Sequence, residues 1–374
     1  MSAKRRVAVL FGGRSAEHEI SCISARSVVD ALDPERNEVI LIGITKEGRW
    51  HRLPAPPALP GESGVMPVIT DSVANPVVLA GATGPRELVS ADGSRQQIDV
   101  VFPLLHGPMG EDGAVQGLLE LAGTPYVGAG VLGSAVGMDK AFQKVLFAAA
   151  GLAVGPHEVV REPEWREDSE GVVTRVSSLG YPVFTKPSTL GSSVGITKVH
   201  TSEELDAAME TAFRFARKVV VEKAFESARE IECAVLGNDD PVASTCGEIT
   251  PRGHEFYDYA AKYLDADGAD LTIPAELDPE TLAGIQRMAV VAFQAVECWG
   301  MARVDFFLTA DGAVFINEIN TIPGFTSISM YPKLWEASGL PYTQLIDRLL
   351  DLAQERHRAE RTKSTAAVQV EVQT

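Results

Sequence analysis

One stretch near the carboxyl end of the chain, residues 303–330, constrains the fold more than any other. It contains two apolar runs, 306–308 and 314–316, separated by the sequence Thr-Ala-Asp-Gly at 309–312. An Asp-Gly pair between β-rich runs is the strongest short-range signal of a β-hairpin. The sequence therefore predicts two antiparallel strands joined by a tight turn.

A two-residue turn centred on the Asp-Gly pair sets the register of this hairpin. Asp305 then faces Glu318 and Arg303 faces Asn320, and all four side chains share one face because strand side chains alternate. Carboxylates and amide oxygens are ligands that suit Mg²⁺ held against phosphates. A four-residue loop, which shifts the pairing, and an ordinary hairpin with a solvated acidic face both remain open from this stretch alone.

The charge balance and length of the chain narrow the class of protein. A length of 374 residues predicts two or three domains, and 51 acidic against 33 basic residues give a net charge of −18. This balance argues against nucleic acid or an anionic membrane as a partner. No run reaches the length of a membrane span, and the cysteines form no CxxC pair, so we expect a cytoplasmic protein with free thiols.

The amino-terminal part predicts a β-α-β arrangement with ligand-binding positions at its strand ends. A buried strand at 6–11 runs into a glycine turn and a helix start that carries Glu17. A second strand is predicted at 38–44, and another buried strand at 99–105 ends at His106. Open α/β sheets bind ligands at such positions. Glu17 could instead stabilise the helix macrodipole, and His106 could be a turn histidine. The Pro- and Gly-rich segment 51–97 predicts an insertion with short extended segments.

Two lysines indicate a phosphate site in the middle of the chain. Lys186 ends a strand at 181–187 and leads into a loop of glycine and hydroxyl residues at 188–195, whereas Lys140 lies in a helix predicted over 133–150. Such a loop can cradle phosphates with its backbone N–H groups, although a flexible hairpin turn is the simpler alternative. Two lysines at such places in an acidic chain favour phosphate binding.

The remaining elements surround these positions. The tyrosine-dense segment 256–263 either packs or forms a loop that closes over a ligand with Lys262 and Tyr263. The sequence also predicts strands at 219–225 and 230–236, helices at 202–217, 278–299 and 342–352, and a disordered tail at 361–374.

Six motifs, taken in order, resemble those of the D-alanine–D-alanine ligases of the ATP-grasp superfamily. They are GGRSAEHEIS, HGPMGEDGAVQG, MDKAFQK, KPSTLGSSVGITKV, YDYAAKY and RVDFF…NEINTIPGFTS. The resemblance spans residues 7–352. It implies an α/β and α+β chain with the ATP-grasp fold, made of a Rossmann-like domain (1–128), a central subdomain (129–223), a carboxyl-terminal subdomain (224–360) and the tail.

The resemblance also implies a reaction. The carboxylate of one D-alanine attacks the γ-phosphate of ATP to give an acyl phosphate, and the amine of a second D-alanine displaces phosphate to form the dipeptide for peptidoglycan synthesis. Two Mg²⁺ or Mn²⁺ ions neutralise the oxygens in transit. A homodimer is implied as well. The alternatives are a ligase that accepts D-lactate or D-serine, and a nucleotide-binding regulatory module without turnover.

The resemblance assigns roles to the matching residues. The metal ligands are Asp305, Glu318 and Asn320, and ATP contacts fall to Lys140, Lys186, Ser192, Ser193, Glu222, Lys223, Phe225, Glu230 and Lys262. The first D-alanine meets Glu17 and His106, the oxyanion meets Arg303 and the Gly324 N–H, and the second D-alanine meets Ser329, Met330 and Lys262. Hydrogen bonds among Ser192, Tyr263 and Glu17 link the loop at 188–195 to the tyrosine-dense segment over the site.

Two details qualify this assignment. The segment 226–230 is one residue longer than usual and lacks a glycine, which bears on the ribose contact of Glu230. Tyr263 is retained, which favours D-alanine over D-lactate as the acceptor. D-serine differs by a single hydroxyl, which a pocket rejects only weakly.

Overall fold

The computed structural model describes residues 4–58, 66–72, 75–80, 86–252, 268–326 and 329–363. The tyrosine-dense segment with Lys262 and Tyr263 lies outside the described residues, as do residues 364–374 of the expected tail.

The amino-terminal part forms a four-stranded sheet with the order β3-β2-β1-β7. Strands β1, β2 and β7 are parallel, and β3 pairs antiparallel with β2. The predicted β-α-β arrangement is confirmed. The elements are β1 (Arg5–Gly12), α1 (His18–Ala31), β2 (Asn37–Ile44), β3 (Trp50–Leu53), β7 (Val100–Pro103) and α2 (Ala114–Leu121).

The insertion consists of short extended segments, as its composition predicts. Three short strands, β4 (Val77–Leu79), β5 (Glu87–Ser90) and β6 (Arg95–Gln97), form a separate antiparallel sheet. Leu88 of β5 and Val77 of β4 are buried against the amino-terminal core, so the insertion shares that core.

Two helices replace the single helix predicted over 133–150, and that prediction was wrong. The helices are α3 (Val131–Met138) and α4 (Lys140–Ala149). Asp139 between them is extended, with φ −96° and ψ 104°, and its carboxylate accepts hydrogen bonds from two backbone N–H groups of α4. An aspartate that caps a helix start satisfies N–H groups that lack helical partners, so a new helix begins at this point.

The central part forms an antiparallel sheet with the order β10-β9-β11-β8 and three helices. The helix predicted at 202–217 is shorter, since a 3₁₀ turn at Ser202–Glu204 precedes α7 and α7 ends at Phe213. The elements are β8 (His157–Arg161), α5 (Glu162–Glu167), α6 (Ser169–Ser177), β9 (Val183–Pro187), β10 (Thr197–Val199), α7 (Leu205–Phe213) and β11 (Lys218–Lys223).

The carboxyl-terminal part forms an antiparallel five-stranded sheet with the order β14-β13-β12-β15-β16. The predicted long helix begins after Asp278, whose carboxylate caps it. The elements are β12 (Arg229–Gly237), β13 (Val242–Pro251), β14 (Ala269–Thr272), α8 (Pro279–Ala295), β15 (Gly300–Leu308), β16 (Val314–Asn320), α9 (Met330–Ala337) and α10 (Tyr342–Arg361).

The hairpin β15–β16 has the predicted pairing at the site, but its turn differs. Arg303 pairs with Asn320 and Asp305 with Glu318, as expected. The loop, however, has three residues, since the Thr309 N–H donates to the carbonyl of Ala313 at 2.9 Å. A register shift next to Asp305 compensates for the extra loop residue, because beyond it Phe306 pairs with Ile316. This bulge leaves Asn317 unpaired in the ladder.

Helix α10 returns to the amino-terminal sheet. Arg5 of β1 pairs with Asp351 at 2.7 Å, and the buried Arg356 donates to the carbonyl of Gly128 at 2.9 Å. Leucines of α10 share one hydrophobic cluster with strands β1 and β7. The helix extends to Arg361, so the start of the expected tail is helical. None of the helices in the described ranges is long and apolar enough to span a membrane.

Candidate functional site

A cavity of about 410 Å³ lies between the central and carboxyl-terminal sheets. It brings together most side chains that the sequence assigned to nucleotide and metal. Those that line it are Lys140, Lys186, Ser192, Ser193, Glu222, Lys223, Phe225, Glu230, Arg303, Asp305 and Glu318.

Charged groups on the face of the hairpin are paired with each other. The Arg303 guanidinium donates to both Asp305 oxygens, each at 2.7 Å, and lies 3.0 Å from a Glu232 oxygen. Burial alone would lower the pKa of Arg303, but Asp305 and Glu232 raise it well above its usual value. The Asn320 amide donates to Asp305 at 3.0 Å. We call Arg303, Asp305, Glu318 and Asn320 the hairpin face.

The two phosphate lysines approach the hairpin face from different elements. The Lys186 ammonium, at the end of β9, donates to Asn317 Oδ1 at 3.2 Å, and Lys140 at the start of α4 lies 3.1 Å from a Glu318 oxygen. Asn317 reaches this position because of the bulge, which turns it to the same side as Glu318. The sequence analysis missed Asn317, since no local signal marks the bulge.

Lys144 is a second residue that the sequence analysis missed. Its ammonium lies 3.1 Å from one Glu222 oxygen, and Lys186 donates to the other at 2.9 Å. Burial tends to raise the pKa of Glu222, but the two ammonium groups lower it to about 2. Lys144 itself has a pKa below the usual value because it is 2% exposed. Its spacing of four residues from Lys140 on one helix was an available signal.

The cations near Glu222 determine the charge of the part of the cavity that Lys186 and Glu222 line. Burial would lower the pKa of Lys186, but Glu222 and then Glu318 raise it above the usual value. Lys186 therefore stays charged at neutral pH, and Glu222 stays ionised between two ammonium groups. An ammonium held in this way presents a fixed positive charge to a phosphate.

The loop of glycine and hydroxyl residues at 188–195, which we call the glycine-serine loop, closes the cavity from the other side and reaches the amino-terminal part. The Ser192 hydroxyl donates to Glu17, which is 7% exposed. Ser192 and Ser193 both have positive φ, 50° and 58°, a conformation that side chains other than glycine rarely adopt. A Cβ at Gly191 would lie 3.3 Å from a Glu17 oxygen, so the loop backbone itself passes close to this carboxylate.

His106 and Glu111 lie beside Glu17. His106 is buried, and burial lowers its pKa although Glu17 and the carbonyl of Ile322 oppose the shift. Its Nε2 lies 3.3 Å from the Ser24 hydroxyl. Glu111 accepts a hydrogen bond from the Gly107 N–H at 2.8 Å, and burial followed by the charge of Glu17 raises its pKa well above the usual value. The sequence analysis did not single out Glu111.

Aromatic rings form the apolar end of the cavity. Phe225, after β11, stacks on Phe315 with ring centroids 4.6 Å apart and contacts Phe307 at 5.4 Å. Glu230 and Lys223 line the cavity near these rings, and Lys223 is exposed. A flat apolar slot with polar groups at its rim suits a nucleobase and its ribose.

The segment assigned to the second D-alanine lies beyond the hairpin face. Thr326 donates its backbone N–H to the Ser329 hydroxyl at 3.0 Å, and a Cβ at Gly324 would lie 2.8 Å from the same oxygen. Met330 is 5% exposed and packs beside Gly247 and Leu334 in the core. The Met330 side chain therefore packs in the core, and its contact with substrate stays a prediction.

The donor set of the hairpin face fits a hard divalent cation. Asp305 and Glu318 line the cavity beside two lysines that suit phosphates, whereas Asn320 is not among the lining residues and contacts the cavity side chain Asp305. No group of three or more His, Cys, Asp or Glu side chains that could hold a metal occurs among the described residues. A cation here would therefore need ligands from the substrate as well, as Mg²⁺ commonly does with nucleotide phosphates.

The fold and this cavity define the class of protein. Two antiparallel sheets that hold buried lysines, a small-residue loop and an acidic hairpin between them are the architecture of the ATP-grasp enzymes, which confirms the expected fold class. Family models described as D-ala D-ala ligase N-terminus and D-ala D-ala ligase C-terminus match residues 6–129 and 146–351. The chain belongs to the D-alanine–D-alanine ligase family.

Individual relatives agree over nearly the whole chain. A D-alanine–D-alanine ligase from Acetivibrio thermocellus is 50% identical and covers 96% of this chain and 98% of its own length. One from Arthrobacter sp. is 51% identical, with 95% of each chain covered. The structure of the D-alanine–D-alanine ligase from Coxiella burnetii has a TM-score of 0.84 at 40% identity and covers 96% of each chain. The VanG D-Ala:D-Ser ligase from Enterococcus faecalis has a TM-score of 0.80 at 36% identity and covers 94% of this chain and 100% of its own.

Proposed function

We propose that this protein joins two D-alanines in an ATP-dependent reaction that supplies a peptidoglycan precursor. The observation that carries the proposal is the cavity itself. It places Lys140 and Lys186 against the hairpin face, and the glycine-serine loop joins it to Glu17 through Ser192. In this proposal the nucleotide and amino-acid positions are adjacent, which a phosphoryl transfer between them requires.

The chemistry follows from the weakness of a carboxylate as an electrophile. Lys140 and Lys186 hold the phosphate chain of ATP while the carboxylate of the first D-alanine attacks the γ-phosphate, and ADP leaves. The resulting acyl phosphate has a good leaving group, so the amine of the second D-alanine can attack its carbonyl carbon and release phosphate. Glu17 receives the ammonium of the first D-alanine, which orients its carboxylate toward ATP.

In this proposal Asp305, Glu318 and Asn320 would hold two Mg²⁺ or Mn²⁺ ions. When bound, the ions neutralise the oxygens of the transferred phosphoryl group. The guanidinium of Arg303 is held by both oxygens of Asp305, so it is already oriented when the tetrahedral oxyanion forms. The N–H of Gly324 is the second donor in this assignment.

The remaining assignments place the nucleotide. Glu222 and Lys223 meet the adenine at the end of β11, with Phe225 and its neighbouring rings on one side of the base. Glu230 meets the ribose, and Ser192 and Ser193 cover the phosphates. Lys262 and Tyr263, with Ser329, complete the site around the second D-alanine. We also retain the domain boundaries after residues 128 and 223, which separate the amino-terminal, central and carboxyl-terminal sheets.

D-Serine is the second candidate acceptor. The structural similarity to a D-Ala:D-Ser ligase, at 36% identity, supports D-serine as this alternative. The D-alanine–D-alanine ligases are about 50% identical over a similar share of the chain, and D-alanine is therefore the acceptor we propose.

We further propose that the protein is cytoplasmic and acts as a homodimer. Leu118 and Leu121 of α2 and Leu132 of α3 are 43%, 73% and 60% exposed, and Met109 beside them is 51% exposed. Apolar side chains grouped on neighbouring helices suit burial against a second copy. Sedimentation of the wild type and of a Leu121→Glu/Leu132→Glu variant would test this, and a monomeric wild type would contradict it.

An acceptor competition tests the activity. The full-length protein is incubated with ATP, Mg²⁺, D-alanine and an equal concentration of D-serine or D-lactate, and the products are identified by mass spectrometry. We expect D-alanyl-D-alanine to predominate and phosphate release to require D-alanine. A main product containing serine or lactate would contradict the acceptor, and phosphate release independent of D-alanine would contradict the ligase reaction.

A further inference from the structure

A second and larger concavity, of about 1180 Å³, lies where the start of β1 meets the last turns of α10. Its lining is strongly basic although the whole chain carries a net charge of −18. The cationic and histidine side chains that line it are Lys4, Arg5, Arg36, Arg86, Arg358, Arg361 and His357, against the two carboxylates of Glu35 and Asp99. We call this concavity the basic cavity.

Some of these cations already have partners within the protein. Arg5 and Arg36 pair with Asp347 of α10, and Asp99 pairs with Arg6 at 2.7 Å. Three arginines differ in this respect. Among the described residues, Arg86, Arg358 and Arg361 have no carboxylate within ion-pair distance.

Arg86 is held in a fixed orientation. Its Nε donates to the carbonyl of Gly123 at 2.8 Å, and one terminal nitrogen donates to Nε2 of His357, also at 2.8 Å. A histidine that accepts a hydrogen bond from an arginine is neutral at that nitrogen. The guanidinium is therefore pre-oriented by two neutral acceptors, and its charge is not compensated by either of them.

The ionisation of the neighbouring groups agrees with an excess of positive charge. Burial, followed by the charges of Arg86, Arg361 and Arg356, lowers the pKa of His357 to about 4. Burial and Arg361 likewise lower the pKa of Arg86. Cations that disfavour one another's charged forms in this way gain free energy when an anion arrives between them.

We propose that the basic cavity binds an oligophosphate, with Arg86 as its fixed donor and Arg358 and Arg361 as further donors from α10. Guanidinium groups bind phosphate oxygens in pairs, and several of them around one space suit a ligand with more than one phosphate group. The cavity volume exceeds what a single phosphate fills. Inorganic oligophosphate and the phosphate chain of a nucleotide share this chemistry.

The bound anion would also connect two parts of the fold. Arg86 belongs to the amino-terminal part, next to β5, whereas Arg358 and Arg361 belong to α10. A ligand that contacts both adds to the contacts by which Arg5 and Arg356 already hold α10 to that part. Binding should therefore raise the melting temperature of the whole chain.

Calorimetric titration with inorganic tripolyphosphate tests the proposal. The full-length protein is first saturated with ADP and Mg²⁺, which fill the catalytic cavity. Where one ADP binds per chain, we expect one further binding event for tripolyphosphate, and at least a tenfold loss of affinity in an Arg358→Gln/Arg361→Gln variant. Both substituted side chains are exposed on the last turns of α10, so the variant should melt like the wild type.

The matched control removes two positive charges elsewhere. Arg166 and Arg348 are 49% and 46% exposed and pair with Glu210 and Glu355 outside the basic cavity. An Arg166→Gln/Arg348→Gln variant should bind tripolyphosphate like the wild type. Equal loss of affinity in both double variants would overturn the site, since it would reflect net charge alone.

The stoichiometry of ADP distinguishes the two sources of the ligand. Two ADP per chain, one of which is lost in the Arg358→Gln/Arg361→Gln variant, indicate a nucleotide. One ADP per chain, together with tripolyphosphate binding that the variant loses, indicates inorganic oligophosphate. One ADP per chain and no tripolyphosphate binding would overturn the proposal, as would binding of a short DNA duplex in place of tripolyphosphate.

Discussion

The two sides of the catalytic cavity are built in different ways. On the sheet side, Arg303, Asp305, Lys186 and Glu222 are buried or nearly so and are held by one another. On the loop side, Ser192 and Ser193 adopt positive φ, and the Ser192 hydroxyl donates to Glu17 across the cavity. The sheet side is preorganised before substrate binds, whereas the loop side depends on few contacts. Substitutions on the two sides should therefore affect different quantities.

The largest effect is expected on the sheet side, from Glu318→Gln. The substitution removes a carboxylate proposed to hold the metal ions and preserves its shape, so turnover should fall about 10³-fold while the melting temperature changes little. Steady-state phosphate release and thermal unfolding measure the two quantities. Asp311→Asn in the exposed turn of the same hairpin is the control and should have wild-type turnover. Near-normal activity in Glu318→Gln would refute the metal assignment.

Lys144→Met tests whether the buried ion pairs hold the sheet side in place. Glu222 would keep Lys186 but lose its second ammonium, and we expect a loss of about 3 kcal/mol in the free energy of unfolding with a raised KM for ATP. Urea unfolding and ATP titration measure these values. Lys46→Met removes an exposed ammonium that pairs with Glu19 and should have neither effect. An unchanged KM for ATP would show that Lys144 contributes to stability and not to ATP binding.

Ser192→Ala tests the loop side. Loss of a hydrogen bond to a charged group should raise the KM for the first D-alanine about tenfold, with stability nearly unchanged because the loop is not part of the core. Ser193→Ala is the matched comparison, since Ser193 has the same positive φ. If both variants change this KM equally, the contact with Glu17 is not what positions the first substrate.

The smallest effect concerns pH and a residue outside both sides. The pKa of His357 is lowered to about 4, so the unfolded chain binds a proton at this residue near pH 6.5 and the folded chain does not. Its contribution to stability is therefore present above pH 6.5 and is lost as the pH falls from there toward 4. His357→Gln should flatten the dependence of unfolding free energy on pH within this window. An unchanged slope would contradict the assignment of the shift to His357.

The sequence predicted the pairing of the hairpin face for a partly wrong reason. The prediction rests on a two-residue turn, whereas the structure has a three-residue loop. The loop shifts the register of the two strands by one residue, and the bulge at Asn317 shifts it back. The pairing of Asp305 with Glu318 survives because the two differences cancel. Period-two alternation fixes the face, but a bulge has no local signature, so Asn317 could not have been assigned to the cavity.

Some of the other residues could have been predicted from the sequence and others could not, in each case for a physical reason. Lys144 lies one helical turn from Lys140, and this spacing alone marks a shared face. The helix break at Asp139 depends on its hydrogen bonds to the start of α4 and its contacts with Ser188 and Lys218, which are distant in the chain. Glu111 gains its environment from the packing around Glu17, so its raised pKa follows only from the tertiary structure.

The return of α10 to the amino-terminal sheet has a consequence for protein synthesis. Arg5 and Asp351 are 346 residues apart in sequence, and leucines of α10 complete the core beneath β1 and β7. At roughly 5–20 residues per second, the ribosome delivers this helix about 20–70 s after the first strand. During that interval α1 covers part of the apolar surface of β1 and β7, and the part that α10 covers in the native fold stays exposed. We therefore expect the nascent chain to need a chaperone until translation ends.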